Sequence, residues 1–317
     1  MSCARFNMSH GDFSFYRKVA QNVRKIKNHK VSLMADTKGP EIRVYELKKP
    51  LLIKNGSVVT ILTKSLKVMN KANTFCVYDS TKKYNMAKDL KKGNRIAVDD
   101  GKLYLKTISV DVNKGVVKAK ALNTHTIMSN KRINLPDSSY SLPFLSKRDI
   151  NDLKNSAKLG VQYVALSFVC NAKNIKDARK VLVKAGGRKI KIFAKIETQA
   201  ALNNLASIIK EADGIMIARG DLALETPYYN VPYWQAKIVG MCKKAHKPVV
   251  VCTQMLDSLE RNVQPTRAEV TDVYYAASIG ADWTMLSGET AGGNDPVNAV
   301  KTMQTIIIAA SKRPIIK

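Results

Sequence analysis

Two charged doublets offer the chain's clearest chemistry. Lys195 and Glu197 close the apolar run IKIFAKIE, and Arg219 and Asp221 close GIMIARGD. Side chains two apart on a strand project to the same side. If both runs are neighbouring parallel strands, one rim receives a lysine and two carboxylates. Two acids beside an ammonium suit a divalent cation bridged to a phosphorylated substrate. A pair of surface ion pairs at strand ends would leave the same local pattern, and on composition alone the two readings stand level.

The elements that must hold these residues can be read on either side. The segment between the doublets has helical period, so residues 190–221 form a βαβ unit. Further short apolar runs at 163–167, 248–253 and 283–287 end in Ser167, Thr253 and Gln254, and Ser287 and Glu289. Helices are expected from near Ser146, Ala172, Thr198, Pro232 and Thr266, with a last one over 296–311. Thr266-Arg-Ala-Glu269 is a capping box. Strands recurring roughly every 25–35 residues fit a (β/α) barrel. One polar strand end is chance, whereas a series on one rim is a site. Upstream, Asn7, Ser9, His10 and Gly11 form a polar loop, and Ser9 or Asp12 can cap a helix whose apolar face runs from Phe13 to Ile26. A strand over 31–35 leads into DTKGP, where Asp36 and Thr37 offer hard oxygens; a turn-forming aspartate is the plainer alternative.

Residues 41–142 change character. Segments alternating with period two are separated by Asn55-Gly56, Asp100-Gly101 and Lys114-Gly115, which are hairpin signals. The expected organisation is a barrel domain in two parts, 1–40 and 143–317, interrupted by an antiparallel β-barrel lid over 41–142.

Composition narrows the classes. With 53 Lys and Arg against 25 Asp and Glu, the net charge is +28. Such a charge attracts nucleic acid, acidic membranes or anionic metabolites. The lysines are spread along the chain and do not interleave with aromatics, so no specific nucleic-acid partner is expected. No apolar run reaches the ~20 residues needed to cross a bilayer. The N-terminus lacks a signal core. Five scattered cysteines argue against a disulfide framework and fit a reducing cytoplasm.

The blocks ARFNMSHG, DTKGPEIR, VDDG, NLP with LPFLSKRDI, FAKIE, DGIMIARGDLALE, PVVVCTQML, PTRAEVTDV and MLSGETA occur in one chain, in that order. With these blocks the chain resembles the pyruvate kinase family along essentially its full length. The resemblance implies a TIM barrel with a mobile β-barrel lid, and phosphoryl transfer from phosphoenolpyruvate to ADP in glycolysis. It implies Mg2+ (or Mn2+) on Glu197 and Asp221. It implies K+ on Asn7, Ser9, Asp36 and Thr37, with Glu41 tied to potassium dependence. Lys195 matches the lysine that stabilises charge on the moving phosphoryl and the enolate. Arg5 and Arg43 match arginines near the phosphates, and Gly220 with Thr253 matches the contacts to the substrate carboxylate. Ser287 and Glu289 match groups linked to enolate protonation. Asn7, Arg43 and Lys131 match nucleotide-binding positions, and a homo-oligomer is compatible with the resemblance.

Three departures accompany it. The family's first barrel strand is missing, so seven strands are expected where eight close a barrel. The family's C-terminal domain is missing as well. Arg132 and Asp137 stand where the family usually has glycines, which bears on nucleotide binding. Two other readings therefore remain beside an active enzyme: an impaired fragment or pseudoenzyme of the same family, and a basic nucleic-acid-binding protein.

Overall fold

The structure, a computed structural model, describes residues 1–68, 71–138 and 141–313. The chain opens with strand β1 (Cys3–Asn7), helix α1 (Phe13–Arg24) and strand β2 (Ser32–Asp36). Asp12 caps α1 by accepting from the Phe15 amide at 2.9 Å. Among the described residues, nine strands follow before the next α-helix: β3 (Ile42–Val44), β4 (Leu51–Ile53), β5 (Val58–Leu62), β6 (Thr74–Asp79), β7 (Arg95–Val98), β8 (Leu103–Asp111), β9 (Val116–Ala121), β10 (His125–Ile127) and β11 (Arg132–Asn134). Seven of them close a barrel in the order β11-β3-β6-β5-β9-β8-β7 around Phe75, Ile61, Ile96, Leu103 and Leu105.

Two features of this lid differ from the sequence reading. It is not wholly antiparallel, because β5 and β6 pair in parallel. The segment from 63 to 73 between them is long enough to cross over, which a parallel pair requires. Asn55-Gly56 does turn the chain, with Gly56 at φ +80°. The strands it joins do not pair with each other: β4 pairs with β10 and β5 with β9. A turn signal specifies a local bend and leaves the partner open. Asp100-Gly101 and Lys114-Gly115 do close antiparallel hairpins, β7–β8 and β8–β9.

Beyond the lid, α2 (Lys147–Leu159), β12 (Tyr163–Leu166), α3 (Ala172–Lys184), β13 (Lys191–Ile196), α4 (Gln199–Asn203), α5 (Leu205–Glu211), β14 (Gly214–Ala218), α6 (Arg219–Glu225), α7 (Val231–Lys244), β15 (Val249–Cys252), α8 (Arg267–Ser278), β16 (Trp283–Met285), α9 (Gly288–Ala291) and α10 (Pro296–Lys312) alternate. Reciprocal capping boxes start α2 at Ser146 and α8 at Thr266, two orphan donors being satisfied at each. Among the described residues, seven parallel strands form one sheet in the order β1-β2-β12-β13-β14-β15-β16, with β1 and β16 at its edges.

The period of two decides which side chains face which layer. Ile192, Ala194 and Ile196 of β13 pack outward against the helices, whereas Phe193 faces the inside of the curled sheet. Ile215 and Ile217 of β14 likewise pack outward, and Met216 and Ala218 inward. Phe193 stacks on Trp283 with centroids 5.4 Å apart and fills the interior. Lys195 shares the inward face of Phe193 and stands nearer the carboxyl end of its strand, where α/β barrels assemble their sites.

Candidate active site

Lys195 is the hub of the carboxyl rim. Its Nζ lies 3.0 Å from Glu197 Oε1, 3.2 Å from Asp36 Oδ1 and 2.8 Å from Ser167 Oγ. Burial would lower its pKa, but Asp36 and Glu197 outweigh burial and raise it, so the ammonium stays charged. Asp36 also receives Arg5, with Nε and Nη2 each 2.7 Å from Oδ2. Burial opposes ionisation of Asp36, yet Lys195 and Arg5 hold its carboxyl below the usual range. Glu197, 1% exposed, accepts a 2.6 Å hydrogen bond from the Phe168 amide on its other oxygen. Burial raises the Glu197 pKa; Lys195 opposes this and the charge of Asp221 adds to it. Phe168 turns through φ +57° to aim that amide. Gly39 makes room, since a Cβ there would stand 2.9 Å from the Phe168 ring.

The second doublet separates. Arg219 and Asp221 lie on α6, which begins directly after β14. At 3.6 residues per turn, positions two apart on a helix diverge by roughly 200°. Arg219 therefore points away, to Asp272 Oδ1 at 2.6 Å, Gln235 Oε1 at 3.2 Å and the Thr253 carbonyl at 2.6 Å. Asp221 enters the cleft. Its Oδ1 lies 2.5 Å from Arg132 Nη2 of the lid as an ion pair and accepts no hydrogen bond among the described residues. Burial raises the Asp221 pKa, and Arg132 and Lys195 oppose that rise. Lys195, Glu197 and Asp221, the lysine and two carboxylates that the sequence reading puts on one rim, line one cleft, whereas Arg219 does not project to the side of Asp221 as a strand spacing of two would have it.

These groups line one cleft of about 270 Å³ between sheet rim and lid. Of the residues to which the family resemblance gives a role, it brings together Arg5, Asn7, Ser9, Asp36, Thr37, Glu41, Arg43, Lys195, Glu197, Asp221, Thr253 and Ser287. Three lie outside its lining. Gly220 sits behind Thr253, where a Cβ would come within 2.9 Å of Thr253 Cγ2. Lys131 pairs with Asp99 Oδ1 at 3.0 Å on the lid. Glu289, 2% exposed, accepts from the Leu256 amide at 3.1 Å and the Ser287 amide at 2.7 Å, so its carboxylate braces Ser287 from below. Thr253 holds φ +79°, a left-handed conformation unfavourable to a β-branched residue, and Arg219 clamps its carbonyl.

Local sequence missed two supports. Asp149 of the α2 capping box accepts from the Gly39 amide at 2.9 Å. Arg148 donates to the Met8 carbonyl at 2.7 Å, fixing the loop that carries Ser9. The helix start at Ser146 was visible, but the use of Asp149 across 110 residues was not.

The donor set fits a divalent cation. Glu197, buried, and Asp221, half-buried, line one cleft, and Asp221 Oδ1 accepts no hydrogen bond among the described residues. Magnesium typically takes one or two carboxylates and completes its shell with water and phosphate. Among the described residues, no cluster of three or more His, Cys, Asp or Glu is arranged to hold a metal. For a monovalent ion, Asn7 Oδ1 accepts from the Ser9 amide at 3.2 Å and Thr37 Oγ1 from the Ser167 amide at 3.1 Å, each keeping a lone pair. All five cysteines are free. Burial pushes the Cys252 thiol up to about 12, which leaves it inert beside the cleft.

A curled parallel sheet wrapped in helices, a β-barrel inserted after its second strand and a charged cleft between them define a lidded α/β-barrel protein. The family model described as pyruvate kinase, barrel domain, matches residues 1–300. The pyruvate kinase of Mycoplasma genitalium is 49% identical over 310 residues, covering 96% of this chain and 61% of that protein. That of Kluyveromyces lactis is 40% identical, covering 100% of this chain and 64% of that protein. The crystal structure of a pyruvate kinase from Cryptosporidium parvum superposes with a TM-score of 0.93 at 35% identity, covering 99% of this chain and 64% of that one. The chain belongs to the pyruvate kinase family. It spans about 60% of the length of the curated relatives it matches first.

Proposed function

We propose that this chain is the phosphoryl-transfer part of a pyruvate kinase, moving a phosphoryl group from phosphoenolpyruvate to ADP to give pyruvate and ATP. The observation that carries this reading is the convergence of Lys195, Glu197 and Asp221 on one cleft beneath a lid. Phosphoryl transfer needs little covalent assistance and much charge stabilisation. Lys195, already an ammonium among acids, neutralises charge on the phosphoryl and the enolate oxygen. Arg5 and Arg43 approach the phosphates, Arg43 reaching in from the lid strand β3. The Gly220 amide and the Thr253 hydroxyl orient the substrate carboxylate, although Gly220 must be approached past Thr253. Ser287, held by Glu289, borders the carbon to be protonated. Glu197 and Asp221 would hold Mg2+ or Mn2+, which when bound supplies positive charge along the transferring group. Asn7, Ser9, Asp36 and Thr37 would hold K+. The lid keeps water out, so the phosphoryl meets ADP. Asn7 and Arg43 serve the nucleotide, and Lys131 joins them only by leaving Asp99.

The two separate hydrophobic clusters support a lid over 41–142 as a domain of its own within a barrel of 1–40 and 143–317. No described helix is long and apolar enough to cross a membrane. Free thiols accord with a cytoplasmic setting, and assembly as a homo-oligomer belongs to the same proposal. The impaired-enzyme reading has one observation in its favour, the contact of Arg132 with Asp221. Incubating the chain with phosphoenolpyruvate, ADP, Mg2+ and K+ while following pyruvate decides between them. Turnover dependent on every component is expected; none from a chain that melts cooperatively would overturn the active reading.

A further inference from the structure

We propose that Arg132 is a lid-borne latch that competes with a divalent cation for Asp221, coupling metal binding to release of the lid from the rim. This rests on the reading of Glu197 and Asp221 as the cation's ligands. Arg132 stands on β11 in register with Arg43 of β3, so its side chain leaves the floor of the lid toward the cleft. It spans to Asp221 Oδ1 on the barrel at 2.5 Å. It also lies over the Phe168 ring, 5.8 Å from the centroid. Its remaining acidic neighbours flank it from the lid side, Asp100 Oδ1 at 3.5 Å and Glu41 Oε1 at 4.0 Å.

Three properties make this contact exchangeable. It is a single contact, without the paired alignment that makes an arginine–carboxylate fork strong. It engages the very oxygen that takes no hydrogen bond, so cation and guanidinium need the same lone pairs. Arg132 keeps Asp100 and Glu41 when it lets go, so release does not strand its charge. A divalent ion brings twice the charge to Asp221 and can share Glu197 with it. Linkage is reciprocal: if the metal opens the latch, the closed latch weakens the metal by the same factor. The apparent affinity falls by the fraction of molecules with the latch open.

The test is Mn2+ binding to the 317-residue chain, without substrates, followed by the electron-spin signal of the free ion. Wild type, Arg132→Met, Arg132→Gln and Asp221→Asn are compared after each is shown to melt cooperatively. Both Arg132 variants should bind Mn2+ about tenfold tighter than wild type, and Asp221→Asn should lose the site. The second Arg132 variant keeps the test available if the first misfolds. Equal or weaker Mn2+ binding on removal of Arg132, with the site still lost in Asp221→Asn, overturns the latch and leaves the metal reading standing. Mn2+ binding indifferent to Asp221 in every variant overturns the metal reading, and the latch with it.

Discussion

The ends of β13 and β14 carry the same motif, a cation and a carboxylate two residues apart, and do opposite things with it. After β13 the chain stays extended through Glu197, because Thr198 at φ −129° and ψ 157° caps α4 by accepting from the Ala201 amide. Lys195 and Glu197 consequently remain side by side and pair at 3.0 Å. After β14 no capping residue intervenes, and Arg219 is already helical. Its partner Asp221 turns into the cleft while Arg219 turns behind it. Two residues of loop after β13, Glu197 and Thr198, against none after β14 determine whether a doublet delivers two groups to a site or divides them between site and scaffold. Each outcome is useful here: the first makes a charged hub, and the second supplies a cleft carboxylate together with a clamp on the strained Thr253.

If that contrast is sound, replacing each cation should fail differently. Lys195→Met should cost the most, lowering kcat about 1,000-fold or more while binding of phosphoenolpyruvate is largely kept. Near-normal kcat would break the comparison at its chemical end. Arg219→Leu should act on the scaffold. Loss of its contacts to Asp272 and Thr253 should lower unfolding free energy by about 2–3 kcal/mol, measured by urea denaturation, with KM rising about tenfold and kcat within about threefold of wild type. A collapse of kcat with unchanged stability would place Arg219 in the chemistry instead.

A carboxylate outside the cleft sharpens the point. Asp152 on α2 pairs with Arg148 at 3.7 Å, and burial, with the charge of Asp149 adding to it, pushes its pKa up to about 6. Because the folded pKa lies above the unfolded one, its ionisation costs stability as pH rises through about 4 to 6. Asp152→Asn should therefore stabilise the protein by about 1–2 kcal/mol at pH 7 and by almost nothing at pH 3. A constant gain at both pH values would refute the assignment. The smallest expected effect belongs to the residue that distinguishes the two strand ends. Thr198→Ala should cost about 1 kcal/mol in a denaturation midpoint. It should also weaken Mn2+ binding by loosening Glu197, which the same change at an exposed cap such as Thr266 would not do.

Much of the fold could be read from periodicity. The strand runs, the helix starts at Ser146, Thr198 and Thr266 and the polar strand ends all follow from patterns a few residues long. So does the placement of Lys195 and Glu197 on one side, since the chain runs on extended from β13 to the Thr198 cap and the period of two continues with it.

Other features depended on partners distant in the chain. The parallel pairing of β5 with β6, the retreat of Arg219 to Asp272, the withdrawal of Lys131 to Asp99 and the tie of Glu289 to the Leu256 amide carry no local signature. Arg132 could be seen in the sequence as an unusual charge, yet only closure of the lid over the rim brings it to Asp221, 89 residues away. Short-range sequence dictates which way a side chain faces because backbone geometry repeats. Which charge it meets is decided when the chain folds back and burial obliges every ion to find an opposite one.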